Sequence, residues 1–149
     1  VAADGRAWAW FGSALGFIGL AVTARSHLLE VAWDRHIIRR YPDADPAYQQ
    51  GVHVVAGYGL DVPDGFLQHG AVGAWILISS ILVLQGDTLP VLLAWIGILT
   101  AVLAAGTVVG YMAVVADRSS GRQLLSIGIG AGTLAQAIWF VWLGLELLS

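Results

Sequence analysis

Hydrophobic and polar positions in this chain come in blocks rather than in alternation. Ala7 to Ala24 carries no charge over 18 residues, which at helical rise is about 27 Å, enough to cross the hydrocarbon of a bilayer. Trp8, Trp10 and Phe11 stand at its entry, where interfacial aromatic side chains gather. A second block, Phe66 to Gln85, is uncharged from Gly70 to Leu84. A third, Leu89 to Ala116, has Pro90 in its first turn, where a missing amide costs little, and at 28 residues it is long enough to tilt or protrude. The fourth is Gln123 to Leu148. This pattern predicts an all-α, polytopic integral membrane protein. Its four-transmembrane-helix bundle has spans at 7–24, 66–85, 89–116 and 123–148, forming one membrane domain over residues 1–149.

Two of the links are short enough to dictate neighbours. Gly86, Asp87 and Thr88 join the second and third blocks, and Asp117 to Arg122 joins the third and fourth, so consecutive spans must return antiparallel, side by side. Residues 25–65 form a polar insert of another kind. Arg25 to Tyr41 has no glycine or proline, so the first helix is expected to continue out of the membrane until Pro42. Pro42 to Pro46 predicts a turn, and Asp61 to Gly65 a second one. Between them Gly51 to Leu60 is apolar, glycine-rich and too short for a span, which suggests an irregular loop partly associated with the membrane.

Composition agrees with this picture. Hydrophobic residues make up 58% and charged residues 11%, against about half and a quarter in soluble domains. The net charge of -3 argues against a nucleic-acid partner. With no cysteine, disulfides and thiolate-ligated metals are excluded. There is no lysine, so a phosphate loop ending in Gly-Lys is excluded, and no serine lies in a Gly-x-Ser-x-Gly turn. The chain opens on Val1, which is expected to follow processing or trimming of a longer chain, and no signal-peptide pattern is visible. Four spans place both termini on one side, and the arginines then divide as Arg6 against Arg25, Arg35, Arg39, Arg40, Arg118 and Arg122. The positive-inside rule puts the insert in the cytoplasm and both termini outside.

Most candidate chemistry lies between Arg25 and His69, a stretch holding all four histidines and six of the ten acids. On a helix His27, Glu30 and Asp34 fall within roughly 60° of one another. Glu30 and Asp34 repel unless a proton, an arginine or a divalent metal compensates, and His53 and His69 could complete a ligand set. His27, Glu30 and Asp34 could equally serve as catalytic acid/base groups, or form an ordinary solvated stripe with ion pairs. His27 and His69 lie near one membrane edge and could ligate haem from two helices.

Glycines carry the other signal. Gly12 and Gly16, Gly106 and Gly110, and Gly128 and Gly132 each repeat at four residues, the spacing that lets helix backbones approach, and Gln136 in the middle of the last span suits an interhelical hydrogen bond. The run from Gly128 to Gly132 lacks the membrane-centred carboxylate that an ion-carrying helix needs. Two function classes follow. One is a non-enzymatic subunit or self-assembling component of a membrane complex, in the lipid bilayer and homo- or hetero-oligomeric, contacting other transmembrane helices with the 25–69 insert as docking face. The other is a small membrane enzyme or redox subunit with a metal or haem at the cytoplasmic interface, acting on a lipid-like or quinone-like substrate. Little polar lining within the spans favours the first.

Overall fold

The structure, a computed structural model, describes residues 3–57, 62–86, 89–116 and 118–148. Within these, the side chains of residues 3, 4, 30, 33, 34, 36, 38, 53–57 and 62–64 lie outside the description. Among the described residues the regular structure is all α-helical: α1 (Ala3–Arg40), α2 (Pro46–Gly57), α3 (Val62–Gln85), α4 (Val91–Val115) and α5 (Ser119–Leu148). Four helices are long and apolar enough to cross a bilayer, over Gly5–Leu29, Gly65–Gln85, Val91–Val115 and Ser119–Leu148.

The expected extension of the first helix is present. α1 runs for 38 residues without interruption, and the eleven beyond Leu29 carry it about 16 Å past the apolar stretch. The turn at Pro42–Asp45 is present as well, with the Tyr41 amide donating to the Ile37 carbonyl at 2.8 Å.

Three expectations for the links need correction. Residues 46–57 are the helix α2 rather than an irregular loop. The reason is local: Asp45 Oδ1 accepts from the Tyr48 amide at 2.9 Å, the geometry of an N-cap, and Pro46 fills the first helical position. Gln49 Nε2 also donates to the Tyr41 carbonyl at 3.0 Å, tying the first turn of α2 to the end of α1. The turn expected at 61–65 is helical from Val62, because Pro63 falls in the first turn of α3, where it breaks no hydrogen bond. The polar turn at 117–122 is shorter than its composition suggests, since α5 already begins at Ser119. Gly121 makes this possible: a methyl group there would lie 2.6 Å from the Val114 amide nitrogen, so α5 starts directly on the last turn of α4.

The principal contacts run α1 to α3, α3 to α4 and α4 to α5. In each pairing residue numbers rise on one helix as they fall on the other, so neighbours are antiparallel. Gly12, Gly16 and Gly19 face Ile78, Trp75 and Val72, and Gly110, Gly128 and Gly132 face Leu125, Thr107 and Leu103. α3 and α5 also meet, through aromatic rings. Trp75 stands edge-on to Trp139 at 6.0 Å and tilted to Phe140 at 5.4 Å. Trp139, 1% exposed, forms the buried core with Val72, Ile76 and Leu93, and the partly buried Trp75 and Phe140 pack against it. Ser80, Thr100 and Thr107 are buried too, but each hydroxyl donates to the carbonyl four residues back on its own helix, at 2.7, 2.8 and 3.1 Å, so none requires an interhelical partner.

Candidate functional site

The polar candidates divide between two places. His27 is exposed on α1, near the end of its apolar stretch. The side chains of Glu30, Asp34 and His53 lie outside the described residues, so the stripe drawn from sequence has only its histidine placed. Among the described residues no group of three or more histidine or acidic side chains could hold a metal ion.

His69 is half-buried on α3, with its ring 6.3 Å from that of Tyr111 on α4. The α1–α3 register sets Gly19 opposite Val72, which brings His69 level with Val22, about 7.5 Å short of His27 along the helix. The two imidazoles that a haem would need therefore stand at different depths. His69 instead belongs with Tyr111, and Tyr111 packs over Gly65, where a methyl group would lie 2.8 Å from its Cε2. Sequence reasoning missed this pair because the two residues are 42 positions apart and neither sits in a periodic pattern.

The glycine candidates can be sorted by what they touch. A methyl group at Gly12 would lie 3.1 Å from Ile78, at Gly16 2.6 Å from Trp75, at Gly110 2.8 Å from the Leu125 nitrogen and at Gly128 3.0 Å from the Thr107 backbone. At Gly132 it would lie 3.6 Å from Leu103, in ordinary contact, and at Gly106 it would meet nothing within 4 Å. Gln136 is half-buried on α5.

α5 carries two distinct faces. Gly121, Gly128, Gly132 and Trp139 are buried toward the bundle. On the opposite side, at about 100° per residue, Ser126, Gly130, Thr133 and Ala137 form a line of small residues, all exposed. Their spacing of four, three and four is that of a close-packed helix seam. A methyl group at Gly130 would meet nothing within 4 Å, so at this position the seam has no close partner among the described residues. Sequence inspection singled out Gly128 and Gly132 and passed over the outer line, although the same spacing signals both.

Two further polar contacts lie toward the ends of the molecule. Trp142 Nε1 donates to Glu146 Oε1 at 2.8 Å, which holds the acid close to the helix surface in the last turns of α5. Arg39, Arg40, Asp43, Asp45 and Tyr48 surround an open recess of about 410 Å³ where α1 gives way to α2. Its mixed charges favour no single ion.

Comparison with protein-family models, with curated proteins and with solved structures finds no match to this chain.

Proposed function

We infer that this protein is a non-enzymatic component of a membrane complex, joined to other transmembrane helices through the outer face of α5. The observation that carries this reading is the exposed line Ser126, Gly130, Thr133 and Ala137, opposite the face that α5 uses within its own chain. In lipid the hydrophobic effect does not drive helices together, so close backbone approach and van der Waals packing decide which faces associate, and small residues permit both. The Ser126 hydroxyl donates to the Gln123 carbonyl of its own helix at 3.0 Å, so this line offers small size rather than an open hydrogen bond. In this reading the spans lie with both termini outside and the helical insert in the cytoplasm, in keeping with the arginine distribution. The insert then offers α2 and the end of α1 as a second docking face.

The test is Gly130→Ile. A Cβ at this position meets nothing within 4 Å among the described residues, on the side of α5 turned away from α4, so the helical fold should survive. The complex isolated in mild detergent should fall to a smaller species by light scattering. An unchanged mass for Gly130→Ile, or a wild-type protein that is monomeric both in native membrane and in detergent, would overturn the reading.

A further inference from the structure

We propose that the open side of the α3–α4 pair binds a diacyl phospholipid, holding one of its hydrocarbon chains with an ester carbonyl against the His69 imidazole. A groove of about 430 Å³ runs between the two helices. Gly73, Ala74, Ala101 and Ala105 line its middle, Leu77 marks its inner end, and the exposed Val102 and Val109 border its opening to lipid. His69 is the polar side chain of the lining, and it stands at the outer end.

Length and depth decide the occupant. From His69 to Leu77 is eight residues, about 12 Å along the helix. The apolar stretch of α3 runs from Gly65 to Gln85, so the groove begins just inside one membrane edge and ends near mid-membrane. One leaflet of hydrocarbon is about 15 Å deep, and an extended lipid chain matches that slot. A transmembrane helix is about 10 Å wide and runs the full thickness, whereas the lining of this groove reaches no deeper on α3 than Leu77.

Polarity runs the same way. α3 begins at the edge where His69 stands, and side chains on a helix tilt toward its N-terminus, so the imidazole reaches from inside the hydrocarbon toward the ester level. The Tyr111 ring beside it limits its orientation. A neutral imidazole offers one N–H donor, and a glycerol ester offers a carbonyl acceptor at that boundary. Moving a chain from bulk lipid into an apolar groove gains little, because both are apolar. Selectivity therefore rests on how well the chain packs and on the bond to His69.

The experiment supplies detergent-purified protein with an equimolar mixture of ester-linked and ether-linked phosphatidylcholine of the same chain length. Lipid adducts are then counted by native mass spectrometry. Wild type should carry one lipid per chain and favour the ester form by about fivefold, the worth of one hydrogen bond. His69→Phe should abolish that preference. Ala105→Phe, which fills the groove from an exposed position, should reduce the adduct by about tenfold. The same change at the exposed Ala131 on α5 should leave it intact. Three results would each overturn the proposal: a wild-type protein indifferent to ester against ether, an adduct retained in Ala105→Phe, or an Ala105→Phe variant that dissociates a dimer while keeping its lipid.

Discussion

Gly128 and Gly130 are two residues apart on one helix, yet the same substitution should act on them with opposite sign. At Gly128 an alanine methyl would lie 3.0 Å from the Cα and amide nitrogen of Thr107, both backbone atoms that cannot rotate away. Carbon atoms prefer about 3.5–4.0 Å, so α4 and α5 would have to part by about 0.5–1 Å along this stretch. Overpacking of that kind costs about 1–3 kcal/mol. At Gly130 a methyl meets nothing within 4 Å, and the gain in helix propensity is about 0.5–1 kcal/mol. The same propensity gain acts at Gly128 and cancels in the comparison, so the two variants should differ by about 1–3 kcal/mol, the overpacking cost, with wild type between them. Unfolding by increasing denaturing detergent in mixed micelles, followed by far-ultraviolet circular dichroism, measures the difference. Equal shifts in both variants, or a stabilised Gly128→Ala, would refute the assignment of the inner and outer faces of α5.

Other outcomes follow from the same geometry. Gly16→Leu should lift α1 from Trp75, costing about 2 kcal/mol and exposing α1 to proteases while the α4–α5 pairing holds. Asp45→Ala should remove the α2 cap, costing about 1 kcal/mol, and accelerate hydrogen exchange at the Tyr48 amide, which loses its acceptor. With no native cysteine to interfere, a single cysteine at Ala47 should react with a cytoplasm-confined label and one at Ala2 should not; the reverse would invert the topology. Protein purified without chelators should be colourless and free of metal, and a stoichiometric metal or a Soret band would return the enzyme reading to the front.

The long blocks of apolar residues made the four long helices legible, because length and absence of charge can both be counted. α2 was not legible in the same way. The Asp45–Pro46 pair suits a turn and a helix start equally, and the capping bond that decides between them forms only once Tyr48 is in place. Glycine spacing announced close packing without saying on which side. Gly106 and Gly110 share one spacing, yet Gly110 presses on Leu125 and Gly106 faces open space, because the position of α5 around α4 is a tertiary matter. The His69–Tyr111 pair depends on the α3–α4 register, which no local pattern encodes. Of the acidic stripe on α1, the helix is observed and the side chains of Glu30 and Asp34 lie outside the described residues.

The order of helix contacts has a consequence for how the molecule is built. Each long helix rests chiefly on one that precedes it in the chain: α3 on α1, α4 on α3, α5 on α4. The α4–α5 pairing keeps sequence separations short, the condition that favours rapid assembly. During synthesis each new hairpin can close on the surface its predecessor has already laid down. Of these pairings the last to form in chain order is that of α5 against α4, so the outer seam of α5 takes its position only once the preceding helices are in place. A partner that recognises that seam would engage molecules in which these helices are already paired.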